Sequence, residues 1–429
     1  MNDFIPDPGN LPTLSQAELD HLIEKHTMFL KGQNGGLRVI AQYQNLSNLD
    51  FKGANLSQAD FSGSSFVNAD MSRCNLSSAN FFASDMRNAV LINANLSRAD
   101  LRGAYIAGAD LTGANMEGAD LREGKIMKKN RKGALEDRKR SAGTGGKTIL
   151  TGAKMAGANM EGAQAIGADF TDADLSHAQL HGANLSNVNM ERANLTDSDL
   201  TRADLSFANM NKAIVAGMVM QETETQGAGF KGVVTERDMG DRFENLGKTL
   251  QELLDDHTIW VSTAGKRGRQ LDLSGYDLRE IADLKSYPLT AIRAHGANFM
   301  KQDLTGAELQ SAAFNKSDFR DCKMERADLR GSSFRYSEMA RVNLRGARLS
   351  PLHFEKRADG KKLQRADLSG SSLRYADLTG ADLRDCIMMG IDLTGAILKD
   401  CDLRRADLTG VILRGAVMDG ARVDEAEEG

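Results

Sequence analysis

A large apolar residue returns at every fifth position from Leu96 through Leu101, Ile106, Leu111 and Met116 to Leu121. An alanine stands two residues before each (Ala94, Ala99, Ala104, Ala109, Ala114, Ala119), with Asn, Asp or Tyr between them. A period of five matches neither a helix face, which repeats near 3.6, nor the alternation of a flat strand. It fits a short extended step followed by a corner, with one small and one large residue of each five turned inward. Such a unit cannot bury its apolar pair alone, so coils must stack and share a core.

The same pattern organises most of the chain. Residues 1–14, with Pro6, Pro8 and Pro12, read as an extended leader. Residues 15–32 read as a helix opened by a Ser15/Glu18 capping box, with an apolar face of Leu19, Leu22, Ile23, Phe29 and Leu30. This helix suits a lid on the first coil, because an open β-helix end exposes unpaired backbone and core. Repeats follow over 46–220, interrupted by a basic loop at 127–149, and 221–237 reads as a linker. A second helix is expected over 238–262, then repeats over 271–423 that slip by one residue after Glu280 and break at 350–362. Residues 424–429 form an acidic tail. Leu22–Leu30 (LIEKHTMFL) lines up with Leu253–Val261 (LLDDHTIWV), which argues for two tandem modules, each a helix followed by an interrupted β-helix. They could form one continuous rod or two shorter ones. If four repeats make a coil, Phe61 lies beneath Phe81, Phe299 beneath Phe319 and Phe314 beneath Phe334.

The A-(D/N)-L-x-x pattern of Ala94–Leu121 resembles the pentapeptide-repeat family. The resemblance implies an all-β solenoid, a right-handed quadrilateral β-helix with four repeats per coil. It is specific for fold and nearly silent on activity. The family includes proteins that imitate duplex DNA and bind gyrase, secreted effectors, and members without an assigned role. Several members dimerise at a C-terminal end, which keeps a homodimer among the expectations, although the second module shows no evident apolar terminal patch.

Composition narrows the picture a little further. The net charge of −5 over 429 residues points to neither nucleic acid nor membrane. Cys74, Cys322, Cys386 and Cys401 all occupy the small inward slot, so they read as buried free thiols in a reducing, cytoplasmic compartment. The first residues lack a basic-then-apolar signal pattern, and no apolar run is long enough to span a membrane.

Candidate chemistry is sparse. His26 and His257 recur at equivalent helix positions and read as packing contacts before ligands, since no carboxylate or cysteine recurs at ligand spacing. His177 and His181 read as a solvated pair. Ser141–Thr148 (SAGTGGKT) ends like a phosphate-binding loop but has Ser141 where the first glycine belongs, and it lacks the strand-to-helix context. The basic loop carries Lys128, Lys129, Arg131, Lys132, Arg138, Lys139 and Arg140 against Glu136 and Asp137, so it is either a solubilising insertion or a grip for phosphates, anionic lipid or an acidic partner. A loop projecting from the β-helix also contributes to activity in gyrase-binding relatives. On the second module Arg374, Arg384, Arg404 and Arg414 each directly follow a central residue and make a candidate outer-face strip, partly cancelled by Asp382 and Asp402. In the second repeat block Asp169, Asp172, Asp174, Asp197, Asp199 and Asp204 mark the most anionic region.

No nucleophile with a base, no acid pair in a pocket and no cofactor motif emerges. The leading expectation is a non-enzymatic bacterial cytoplasmic scaffold that binds a protein partner on its outer faces, with no metal, cofactor or small-molecule substrate. DNA mimicry directed at DNA gyrase, and anion-directed binding to nucleic acid or lipid through 127–149, are the alternatives.

Overall fold

The computed structural model describes residues 8–124, 127–129, 135–137, 146–241, 249–357 and 360–424. The chain divides into two compact units, Met1–Glu236 and Arg237–Gly429. Each has its own apolar core. The first contains helix α1 (Gln16–Leu30) and the strands β1 (Met127–Lys129) and β2 (Leu135–Asp137); the second contains α2 (Leu250–Ser262), β3 (Leu352–Arg357) and β4 (Gly360–Gln364). Most of the remaining structure is a ladder of isolated parallel bridges. These join residues 20 apart, as in Asn55 to Asn75, Asn75 to Asn95 and Asn95 to Asn115. Four pentapeptides therefore complete one coil.

A single repeat explains why the five positions carry the residues they do. Backbone donors must be paired when they are withdrawn from water. The Leu56 N–H donates to the Asn75 carbonyl of the next coil (2.7 Å), Gln58 to Ser77 (2.9 Å), Ala59 to Leu56 within the turn (3.1 Å), and Asp60 back to Val39 (3.0 Å). The remaining donor, Ser57 N–H, is taken by the Asn55 side chain at 3.2 Å. Asn or Asp before the central residue thus completes the backbone pairing through a local Asx turn. The corner residue turns the chain with a left-handed backbone, as at Gln58 (φ 63°).

Inward slots are closed to solvent through the inner coils of both units, with mostly Leu, Met, Ile or Phe in the large slot and mostly Ala in the small one. The cysteines fill small slots and donate their S–H to carbonyls: Cys74 to Phe51 and Cys322 to Phe299, both at 2.8 Å. The phenylalanines stack at the 20-residue spacing, Phe61 on Phe81 at 5.4 Å, Phe299 on Phe319 at 4.6 Å and Phe314 on Phe334 at 5.0 Å.

Both insertions leave and rejoin the ladder without shifting it, since Tyr105 bridges Ile149 across the first and Ser333 bridges Asp367 across the second. Each contains an antiparallel hairpin, β1 with β2 and β3 with β4. The one-residue slip after Glu280 lengthens the bridges there to 21 residues, Asp272 to Arg293 and Asp277 to Asn298, and is followed by a 3₁₀ turn at Leu284–Ser286.

Three boundaries differ from the sequence reading. Within residues 221–237, expected as a linker, the coil continues: Asp204 bridges Glu224, Asn209 bridges Gly229 and Ile214 bridges Val234. Polar Thr225 in the large slot hides the period there, and an exposed last coil tolerates it. Coiling also starts before residue 46, with Ile40 bridging Asp60. The second helix begins at Leu250, not at 238; Thr249 and Glu252 form its capping box, while Asp241 already bridges Tyr276.

Each helix lies against the first coil of its own unit. Leu19 of α1 is buried with Val39, Ala41 and Leu46, and Leu254 of α2 with Leu271 and Leu273. The Gln16 side-chain amide imitates a strand edge, donating to the Asp50 carbonyl at 2.8 Å and accepting from the Asp50 N–H at 3.0 Å. His26 and His257 are fully buried. His26 Nδ1 accepts from the Val39 N–H at 3.1 Å while Nε2 reaches the Ser57 carbonyl at 3.0 Å. His257 repeats the arrangement with the Leu271 N–H and the Thr290 carbonyl, both at 3.1 Å.

Candidate interaction surface

Because the inward slots are filled, any chemistry belongs to the outward positions: the residue before each central one and the two corner residues after it. The four arginines proposed from sequence fall on two walls. Arg384 and Arg404 follow Asp382 and Asp402, which bridge each other, so they stand one above the other. Arg374 and Arg414 belong to the ladder of Ser372, Asp392 and Ile412.

Most of this charge is neutralised locally. The Arg384 guanidinium grips Asp382 through two contacts of 2.8 Å, and Arg404 grips Asp402 at 2.8 and 2.6 Å. Arg384 also leans toward Asp402 at 3.8 Å, and Arg422 approaches the same carboxylate at 3.5 Å. The Arg404 hydrogen bond above all holds the Asp402 carboxyl down to about 2. Arg374 reaches across to Asp392 at 2.9 Å. The same Asp-x-Arg clasp occurs in the first unit at Asp100/Arg102 and Asp120/Arg122, with Arg102 leaning to Asp120 at 3.6 Å. An Asx turn presents the arginine back to its own aspartate, so the sequence A-D-L-R builds an ion-pair zipper. Arg414 is exposed and makes no ion pair with a described residue.

Corner residues obey a second rule that sequence reading missed. Side chains at the left-handed corner lie over the corner of the next coil. Opposite charges pair there, as in Asp172/Arg192, Arg202/Glu222, Asp321/Arg341 and Asp385/Arg405. At four corners held by an aromatic ring, the corner above is glycine. A Cβ on Gly63 would meet Tyr43 at 2.5 Å, one on Gly227 would meet Phe207 at 2.6 Å, and on Gly370 and Gly395 it would meet Tyr336 and Tyr375 at 2.6 Å. These aromatics remain on the surface, with Tyr43, Phe207 and Tyr336 about 60% exposed. Arg335 sits over the Tyr336 ring and Arg374 over Tyr375. The signal was available as a 20-residue offset between aromatic and glycine, but insertion 350–362 obscures it between Tyr336 and Gly370.

The last described coils of the second unit do carry exposed apolar side chains, on more than one wall. In its last coils Ile412, Leu413 and Val423 are 49%, 39% and 48% exposed, with Met389 at 47%. Leu413 and Val423 keep the large-slot position in the pattern, which by itself does not distinguish them from the buried residues of the inner coils.

Lys128 and Lys129 lie in β1, where the register sets Lys128 opposite Glu136 and Lys129 opposite Leu135. Arg131, Lys132, Arg138, Lys139 and Arg140 lie outside the described residues. So does most of the phosphate-loop-like stretch, although its Thr148 is committed to the fold: its hydroxyl accepts from Gly103 N–H and lies within 3.1 Å of the Leu101 carbonyl. His177 stands at a corner 3.9 Å from Asp197, on a different repeat from His181. No group of potential metal ligands gathers among the described residues. No helix among them is long and apolar enough to cross a membrane. In the acidic block Asp169 accepts from Thr171 and Asn189, Asp174 from Ser176 and Asn194, and Asp172 is clasped by Arg192.

Among solved structures the chain is similar to QnrB1, described as a plasmid-mediated fluoroquinolone resistance protein, at 18% identity over 46% of this chain and 84% of that one, with a TM-score of 0.29. It is also similar to HetL, a pentapeptide repeat protein involved in heterocyst differentiation regulation in the cyanobacterium Nostoc, at 18% identity over 92% and 93% of the two chains (TM-score 0.15). A third is Rfr23 of the cyanobacterium Cyanothece, at 24% identity over 31% and 91% (TM-score 0.17). No curated protein matches. The family pattern described as pentapeptide repeats matches in 8 copies, at 45–81, 84–122, 148–181, 178–215, 289–321, 314–350, 362–390 and 386–423. Those copies cover more than half of the sequence, and the chain belongs to the pentapeptide-repeat family.

Proposed function

We propose that the protein is a non-enzymatic scaffold that binds a protein partner on the outer walls and exposed last coils of its β-helices. One observation carries this reading: arginine and aspartate along the walls largely neutralise each other, while Tyr336, Met389, Ile412 and Leu413 stay exposed on the second unit. Tyrosine and methionine beside arginines are characteristic of contact centres in protein interfaces. The finer organisation belongs to the same proposal: two tandem right-handed modules, each capped by its helix, in a bacterial cytoplasm whose reducing conditions suit four buried free thiols. A homodimer at the exposed C-terminal coils fits the same apolar surface.

The test is affinity capture with the intact chain and with a Tyr336→Ala/Met389→Ala/Ile412→Asp triple variant. A partner retained by the first and lost by the second supports the reading, and an identical set of captured proteins overturns the assignment of that surface. DNA mimicry needs rows of uncompensated carboxylates, which the Asp172–Arg192 clasp and the Asp-x-Arg zippers oppose. Inhibition or protection of purified gyrase at stoichiometric protein in a supercoiling assay would nevertheless place it first. Anion binding through Lys128, Lys129 and the rest of 127–149 predicts weaker retention on heparin or anionic vesicles once that loop is deleted; unchanged retention dismisses it.

A further inference from the structure

We infer that His26 and His257 are acid-sensitive latches: a proton added to either ring breaks its tie to the first coil of its own unit and frees the helix that carries it, while the stacked coils stay folded.

Hydrogen-bond direction is the ground for this. Nδ1 of His26 faces a backbone N–H, that of Val39, so this nitrogen must be the bare acceptor and the ring proton must sit on Nε2, donating to the Ser57 carbonyl. His257 is fixed in the same tautomer by the Leu271 N–H and the Thr290 carbonyl. A second proton would point at an N–H donor inside a site with no solvent exposure. Charge would then be buried with one contact turned repulsive. Both helices keep the bonding pair and an aromatic ring stacked on the imidazole, Phe29 at 5.8 Å and Trp260 at 5.6 Å.

Ionisable groups occur on each surrounding element: Glu24 and Lys25 on α1, Arg38 on the returning segment and Asp60 one coil on from Ile40; Asp255 and Asp256 on α2, Arg269 on its returning segment and Arg293 one coil on from Asp272. Among these the Arg38 charge opposes a second positive charge on His26. Burial lowers the proton affinity of both rings, against the pull of the Ser57 and Thr290 carbonyls. With the folded value depressed below 6.5, the latched state is favoured above pH 6.5 and loses ground as pH falls. Release would expose the contacts that Leu19 and Leu254 make with first-coil residues.

Trp260 is the single tryptophan of the chain and reports directly on the second latch. In the full-length protein, Trp260 emission and amide protection over 250–262 should change together below pH 6.5, with protection falling by up to about tenfold per pH unit, the limit for one proton. Coil amides such as those of Leu304 and Met324 should keep theirs. Gln retains one acceptor and one donor but takes no proton, so His257→Gln should abolish the step at α2 and leave the step at α1 intact. Phe29→Trp supplies the matching reporter for His26. The inference is overturned if the step persists in His257→Gln. Independently of that variant's folding, it is also overturned if nitrogen-15 NMR of the wild-type histidines shows His257 titrating while 250–262 stays protected.

Discussion

The phenylalanine cluster of the second unit offers a test of how much ring geometry adds to a core that Leu and Met could fill. Phe299, Phe314, Phe319 and Phe334 are all fully buried, so replacing any one of them by Leu removes a similar apolar area. Their ring contacts differ. Phe314 touches Phe299 (5.6 Å), Phe319 (5.1 Å) and Phe334 (5.0 Å), and Phe319 touches Phe299 (4.6 Å), Phe314 and Phe334 (5.4 Å). Phe299 and Phe334 have two such neighbours each. An aromatic pair contributes about 0.5–1.5 kcal/mol beyond area. Phe314→Leu and Phe319→Leu should therefore cost about 1 kcal/mol more than Phe299→Leu and Phe334→Leu, a roughly fivefold further loss of protection. Hydrogen exchange of the Leu304 and Met324 amides in the full chain under mild urea reads this difference within one unit. Equal losses for all four variants, or larger losses at Phe299 and Phe334, would refute the claim that edge-on and stacked rings contribute beyond volume.

Other consequences concern the corners and clasps. Gly370→Ala and Gly380→Ala share the left-handed cost of about 1–2 kcal/mol, but only the first meets Tyr336, at 2.6 Å; its extra destabilisation in urea melts should disappear in a Tyr336→Ala background. Arg341→Ala strips a buried bidentate partner from Asp321 and should cost about 3–5 kcal/mol in the same melts. Arg405→Ala, in the same geometry against Asp385 but 62% exposed, should cost less than about 1 kcal/mol. Asp402 is held down to about 2, against an ordinary 3.8, so its contribution is whole above pH 3.8 and is lost as pH falls toward 2. Acid titration of stability should show wild type and Arg404→Gln apart near neutrality and converging near pH 2.

The five-residue period by itself determined that this chain is a stacked solenoid, which residues face inward, and which phenylalanines meet, because a repeat that cannot bury its own apolar pair leaves few alternatives. Ser15 and Glu18 marked a helix start as plainly, since that pairing is local. The ends of the stacks were not legible in the same way. Thr225 breaks the pattern although its coil still forms, and Leu413 keeps the pattern although it is 39% exposed. Only the tertiary structure decided how outward charge is used. Whether Arg384 faces solvent or Asp382 depends on an Asx turn, and whether Arg341 is buried while Arg405 is not depends on what lies over each corner. Likewise the histidines of two matching helices became buried bonds between chain segments far apart in sequence, because each coil edge presents an N–H and a carbonyl that one neutral ring can satisfy together.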